Sequence, residues 1–272
     1  MSERDETDGL VAPIFFTDAW AVPVDKRRYA YATAELGTAW GVQSSPHDIR
    51  IHNARVLPSA DTLDDMGFTL ARQVSAVTDF TSEDQVRDIY FPELEVFLRE
   101  LTGAKRIIFY HQCHRDASAA VKGRKPACGA HIDYDLPGMH RHIRDVMGEE
   151  AEQWLDRPFC AVNLWRGIKP VVELPLAVCD GRTIDESDLY GLDIWEWPDQ
   201  TVPDTGLTMA YNARQQWYYY PQMQTDEVLI FKLLDTRPGK TRLTAHAAFP
   251  YPDQDPALVT RTNHEARAVL FF

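Results

Sequence analysis

His131 and Asp133 stand two residues apart in the run CGAHIDYD at 128–135, just ahead of Pro137-Gly138. On a strand, residues i and i+2 point to the same side. A neutral imidazole and a carboxylate there can grip one metal ion between them. His-x-Asp alone is common, so a third ligand has to come from elsewhere in the chain. Of the nine histidines, His246 is best placed, in the β-rich run TRLTAHAAF (241–249) between two turn signals. His264 opens the last strand-like run and would be more exposed. His140 and His142 fall in a helical stretch, while His111 and His114 precede the pair and suit a substrate pocket better. Two histidines and one carboxylate on one face leave three open positions, the arrangement of non-heme iron(II) sites that admit O2 and a co-substrate. The plainer alternatives are a surface turn histidine at 131 and a hydrogen-bonded core histidine at 246.

A co-substrate such as 2-oxoglutarate would need a second recognition point. One end chelates iron through its keto acid, and the far carboxylate calls for a bidentate, charge-assisted partner, which a guanidinium provides. Arg267 lies in HEARAVLFF (264–272), a charge inside an apolar terminal run, and is expected either to face outward or to be buried against an acid. Arg261 is the second candidate. In CAVNLWRGIKPV (160–171), a strand puts Asn163 and Trp165 on one face and Arg166 on the other. Asn163 would need a partner if buried, either a co-substrate or a neighbouring backbone group. The aromatic cluster QQWYYYPQ (215–222) reads first as core and hairpin packing.

These residues need a scaffold. The region 81–103 is helical, with Thr81 or Ser82 as cap, Gly103 as terminator and Pro92 as a kink or divide. A buried strand is expected at 105–115, and short strands at 14–17 and 49–57. From about 128 strand-like runs follow one another: 159–165, 170–179, 207–211, 215–220, 227–234, 241–249 and 264–272. Pro and Gly turns separate them, with one helix at 140–155 weakened by Gly148. Many short strands with such turns indicate a jelly roll or barrel. The expected fold is α+β, mainly β: a double-stranded β-helix (jelly-roll, cupin-like) core with N-terminal helices and strands packed on it. Residues 1–12 are expected to be a disordered acidic end. Residues 13–272 form one domain, mixed α/β over 13–127 and jelly roll over 128–272.

The chain has 272 residues and a net charge of -13, which argues against nucleic acid and against an anionic membrane surface. No run approaches the roughly 18 apolar residues of a membrane span. The N-terminal stretch lacks the basic and apolar segments of a signal peptide, so a cytoplasmic location is expected. Cys113, Cys128, Cys160 and Cys179 show no CxxC spacing and read as free thiols. The sequence carries no signal for oligomeric state.

Several phrases together resemble a known family, the iron(II)/2-oxoglutarate-dependent oxygenases similar to gibberellin desaturase, AsaB and CmcJ. They are LDDMGFTLARQVSAVTDF (63–80), DIYFPELEVFLRELTGAKRIIFYHQCHR (88–115), AHIDYD (130–135), VNLWRGIKPVVELPLAVCDGRTI (162–184), YNARQQWYYYPQMQTDEVLIFKLLDT (211–236), TAHAAFPYPD (244–253) and RTNHEARAVLFF (261–272). The resemblance implies iron(II), 2-oxoglutarate and O2 on a double-stranded β-helix. It places His131, Asp133 and His246 on the metal positions and Arg267 on the co-substrate position. Asn163, Trp165 and Arg166 fall on an Asn-x-Trp-Arg phrase.

Two departures stand out: Gly167 where the family has Pro, and Asp135 where it has Ser or Thr. Asp135 could meet a cationic substrate group. The span from His246 to Arg267 is long, which keeps Arg261 in contention. The expected reaction is hydroxylation, desaturation or oxidative cyclisation of a small natural-product or amino-acid-like molecule. Tyr110, His111, Arg115, Asp135, Trp165 and Arg166 are the expected pocket. The alternatives are a non-catalytic binding protein on the same fold and an iron enzyme that does not use 2-oxoglutarate.

Overall fold

The computed structural model describes residues 8–19, 27–33, 37–40, 43–57, 62–117, 126–195, 201–252 and 261–272. Among these, fifteen strands form two sheets. They are β1 (Leu10–Thr17), β2 (Arg28–Thr33), β3 (Gly37–Trp40), β4 (Ser44–Asn53), β5 (Phe68–Arg72), β6 (Arg106–Asp116), β7 (His131–Ile132), β8 (Phe159–Gly167), β9 (Leu176–Cys179), β10 (Leu189–Trp195), β11 (Asp204–Met209), β12 (Trp217–Tyr219), β13 (Glu227–Asp235), β14 (His246–Ala248) and β15 (Thr262–Phe271). The large sheet runs β1-β4-β12-β9-β14-β7-β11-β10-β2-β3 and the small one β5-β13-β8-β15-β6. All pairs in the small sheet are antiparallel.

Period-two alternation sorts the strand residues into layers. In β9, Leu176 and Val178 enter the core between the sheets, while Ala177 and Cys179 join the cluster on the other side of the large sheet. In β8 and β13, Ala161, Trp165, Leu229 and Phe231 face that central core. Their neighbours Val162, Leu164, Val228 and Ile230 face outward, under the helix Phe91–Thr102. With both faces covered, β8 and β13 read as nearly unbroken apolar runs.

The helix Phe91–Thr102 buries Leu94 and Leu98, one turn apart, against this outer face. Ser82 caps the start of the helical region, a widened π turn spans Val86–Tyr90, and Gly103 ends it in the left-handed conformation. The helical region is divided next to Pro92, where the π turn ends and the segment Phe91–Thr102 begins. Pro92 sits in the first turn after the π segment, where its missing N–H costs least.

Several expectations change. β1 begins at Leu10 and pairs with β4 in register, so the strand reaches into the stretch expected to be disordered; residues 1–7 lie outside the described residues. Strand β4 of the first part of the expected domain pairs with β12 of the second, so the two parts share one sheet. The expected helix at 140–155 starts four residues earlier, at Leu136, and ends at Met147, where Gly148 adopts φ 57°. A second short helix, Glu152–Leu155, follows. Strands β5 and β10 are not among the expected strands, although Tyr190, Leu192 and Ile194 alternate along β10.

Candidate metal centre

His131 and His246 face each other across the β7–β14 pair as register partners, with ring centroids 4.2 Å apart. β7 is only two residues long, and the chain leaves the sheet at Asp133. Two contacts pin that exit. The Asp135 N–H donates to Thr205 O at 3.0 Å. Gly206 on β11 lies so close that a Cβ there would meet Asp133 O at 2.6 Å and Ile132 O at 2.7 Å. Only glycine lets β11 approach the segment that carries the acid.

One Oδ1 of Asp133 lies 3.6 Å from His131 Nε2 and 3.9 Å from His246 Nε2. One ligand atom from each of these three residues falls within 4.8 Å of the others. His131 Nδ1 contacts Gly129 O at 2.8 Å, and a carbonyl can only accept. Nδ1 therefore carries the proton, and the Nε2 lone pair is directed at the centre.

Burial lowers the His246 pKa to about 3, with the nearby His131 adding to the effect and Asp133 opposing it. Burial alone would raise the Asp133 carboxyl, but Arg267, His246 and His131 outweigh it and hold it well below its usual range. Both side chains are thus in the form that binds a metal. The donor set of two imidazole nitrogens and one carboxylate fits iron(II).

Around this centre, buried polar atoms lack a hydrogen-bond partner among the described residues. They include Asp133 Oδ2, Arg267 Nε, both amide atoms of Asn163, Trp165 Nε1 and Tyr110 Oη. Asn163 stands opposite Arg267 on the neighbouring strand, and Trp165 opposite Glu265. Arg267 Nη1 donates to Tyr134 Oη at 2.7 Å. Its Nη2 lies 3.2 Å from Asp133 Oδ2, close enough for an ion pair although no aligned hydrogen bond forms. Tyr110 is the extra residue where the β6–β15 register shifts, and its ring packs on Tyr134 and His142. His111 pairs with Arg267 in register, and Arg115 Nε donates to Glu265 Oε1 at 2.6 Å. Arg261 donates from Nε to Asn263 Oδ1 at 3.0 Å and from Nη1 to Leu174 O, and lies 5.2 Å from the Trp165 ring. Burial lowers its pKa to about 10.

Two expected pocket residues are placed elsewhere. Asp135 caps the helix Leu136–Met147: its Oδ1 accepts from Gly138 N at 2.9 Å and Thr205 Oγ1 at 2.6 Å, and its Oδ2 pairs with Arg27 at 3.0 Å. That carboxylate is taken up by structure and does not face the metal ligands. Arg166 points to the outer face of the small sheet, as alternation from Trp165 requires. There it donates to Tyr90 Oη, Thr225 O and both oxygens of Gln73. Conversely, Glu265, Tyr134 and His142 reach the site without having been singled out. For Glu265 a signal existed: it shares a strand face with Arg267, so two opposite charges sat two apart in an apolar run.

A His-Asp-His triad on a jelly roll, with Asp133 and His246 buried and His131 half-buried, beside unsatisfied polar groups, defines a non-heme iron oxygenase. Residues 15–271 match a family described as an oxidoreductase/YMDC permease-like domain, to which the chain belongs. Among the described residues no helix is long and apolar enough to cross a membrane. The alpha-ketoglutarate-dependent dioxygenase phiK of a fungal species is 30% identical over 77% of this chain and 79% of its own length. The hydroxylase/desaturase efuI of Hormonema carpetanum is 31% identical over 78% and 79%. A solved structure of the iron and alpha-ketoglutarate-dependent endoperoxidase NvfI superposes with a TM-score of 0.86 at 25% identity, covering 97% of this chain and 98% of that one. The chain therefore belongs with the iron(II)/2-oxoglutarate-dependent oxygenases related to the AsaB-type hydroxylase/desaturases.

Proposed function

We propose that His131, Asp133 and His246 hold iron(II), and that Arg267, with Asn163 beside it, receives the distal carboxylate of 2-oxoglutarate. The observation that carries this is the set of unsatisfied buried donors and acceptors at Arg267, Asn163 and Trp165, next to the triad. Such groups are costly unless a polar ligand meets them. Charge supports the same reading. Arg115, Arg261 and Arg267 gather around the carboxylates of Asp133 and Glu265, and such a cluster of guanidinium groups attracts a dicarboxylate dianion. Arg261 is the second candidate anchor. Its donors already meet Asn263 and Leu174, so it contributes positive potential more than open hydrogen-bonding capacity.

When bound, iron(II) with 2-oxoglutarate supplies the oxidising power, consuming O2 and releasing succinate and CO2. The protein's residues orient and enclose. Gly129 O fixes the tautomer of His131, and Tyr134 steadies Arg267. Tyr110, Tyr134 and His142 form an aromatic wall with ring centroids 4.6–5.8 Å apart. They would exclude water and seat the substrate; the unpartnered Tyr110 hydroxyl can meet a substrate oxygen, while His142 Nε2 lies 3.4 Å from Asp204 Oδ1. The substrate is a small natural-product or amino-acid-like molecule, oxidised at an aliphatic C–H bond by hydroxylation, desaturation or ring closure. An amine contact through Asp135 drops out, because that carboxylate caps a helix. We also place the protein in a reducing, cytoplasmic compartment, a reading supported by its four free cysteines.

The test is anaerobic. Iron(II) and then 2-oxoglutarate are added while the visible metal-to-ligand charge-transfer band is followed. The expected result is a band in the wild type and none in His246→Ala. Iron binding without a band would favour an iron enzyme that does not use 2-oxoglutarate. No iron binding would favour the non-catalytic reading.

A further inference from the structure

Glu265 is an acid in a nest of arginines. It lies at the middle of β15, 5% exposed, on the same face as Arg267 and Asn263. Its Oε1 accepts from Arg115 Nε at 2.6 Å and lies 3.3 Å from Asn263 Nδ2. Its Oε2 lies 3.3 Å from Arg267 Nη2. Burial would raise its pKa, but Arg115 and Arg267 prevail and lower it to about 2, so it is a carboxylate throughout the neutral range. The two arginine contacts are unequal: short to Arg115, long to Arg267. Glu265 can therefore release Arg267 and stay paired, without becoming the uncompensated buried charge that makes such a break expensive.

The reaction imposes a matching requirement. 2-Oxoglutarate enters with a distal carboxylate, and succinate must leave with that same carboxylate still attached. A pocket of guanidinium groups alone would retain the product. We propose that Glu265 is a resident carboxylate that competes with the co-substrate's distal carboxylate for Arg267, yielding to 2-oxoglutarate and returning to expel succinate. Glu265 touches no reacting atom and is a positioning residue. The inference rests on the 2-oxoglutarate reading above.

The test is equilibrium titration calorimetry of succinate and of 2-oxoglutarate into the Zn(II)-loaded protein, which does not turn over. Glu265→Gln keeps the shape and the contact with Arg115 but removes the charge. Loss of one buried charge within a few ångströms of the ligand is expected to tighten both by about tenfold or more. Glu265→Asp keeps the charge, draws it back from Arg267, and is expected to shift affinity the same way by less. The double variant Arg115→Gln/Glu265→Gln restores the net charge but still frees Arg267, so it is expected to bind succinate about threefold or more tighter than the wild type; a return to wild-type affinity would assign the effect to net charge and overturn the competition. A purely structural acid would give weaker binding when removed. Unchanged or weaker succinate binding in folded Glu265→Gln, or in Glu265→Asp where the Gln variant does not fold, overturns the proposal. Failure of the wild-type protein to bind 2-oxoglutarate at all would overturn the co-substrate reading itself.

Discussion

Arg166 and Arg267 are both buried arginines on adjacent antiparallel strands of the small sheet, yet they do opposite work. Arg166, on the outer face, donates to Gln73, Thr225 and Tyr90, and its guanidinium lies over Tyr90 at 5.2 Å. Arg267, on the inner face, has an unpartnered Nε and is surrounded by atoms in the same condition. A guanidinium satisfied by fixed carbonyls holds a loop to a sheet. One left partly unsatisfied beside a metal ligand is prepared for an incoming anion. Burial and residue type are the same in both cases. What separates them is which face of the sheet each side chain enters, and what that face already offers.

The sharpest break between the two faces lies in the triad. Asp133→Ala is expected to abolish metal-dependent turnover and iron binding while the protein stays folded, as judged by circular dichroism; retained turnover would remove the metal reading. Next comes Arg267→Leu, expected to raise the KM for 2-oxoglutarate by about 30-fold or more, the scale of truncating one partner of a buried charged contact. If Arg261→Leu has the larger effect, the anchor is reassigned. Arg166→Met should do the reverse. It leaves the carbonyls of Gln73 and Thr225 and the Tyr90 hydroxyl without a donor, so stability should fall by about 3 kcal/mol in denaturant unfolding. Its KM for 2-oxoglutarate should match the wild type.

His264 extends the comparison to pH. It sits on the outer face with neither ring nitrogen partnered, and burial lowers its pKa to about 4. A histidine whose folded pKa lies below its unfolded value of about 6.5 takes up its proton more readily when unfolded. Stability is therefore whole above pH 6.5 and falls as the pH drops towards 4, by at most roughly 3 kcal/mol. In His264→Phe, Tm measured from pH 7 to 4 should lose this part of its slope; an unchanged slope would assign the acid sensitivity to other groups. The smallest effect is Asp135→Ala. Loss of the helix cap should cost about 1 kcal/mol with kcat little changed, whereas a collapse of kcat would return Asp135 to the pocket.

How far the sequence could be read depended on whether a residue's role was local. Apolar, β-rich runs bounded by turn residues marked β6, β8, β13 and β15. The sequence Ser82…Gly103 marked the helix ends, because caps and left-handed terminators are properties of a few consecutive residues. Asp135 shows the limit. Beside Asp133 it read as a second pocket carboxylate, but with Pro137 and Gly138 after it, it is equally a helix cap. Gly138 favours the cap, since a Cβ there would meet Thr205 O at 2.5 Å. The choice is made by a strand seventy residues away. Arg166 erred in another way. Alternation had already set it on the opposite face from Trp165, yet the family phrase grouped them.

By itself the sequence determined the donor chemistry: two imidazoles and a carboxylate, an apolar terminal run carrying Arg267, and enough alternating strands to close a jelly roll. These follow from residue type and short-range periodicity, which the backbone obeys wherever it folds. Only the tertiary structure decided that His246 stands opposite His131, that Glu265 lies between Arg115 and Arg267, and which buried polar atoms are left without partners. Those are facts about strands brought together from more than a hundred residues apart. Satisfaction of a buried group is counted over everything that surrounds it, not over its neighbours in the chain.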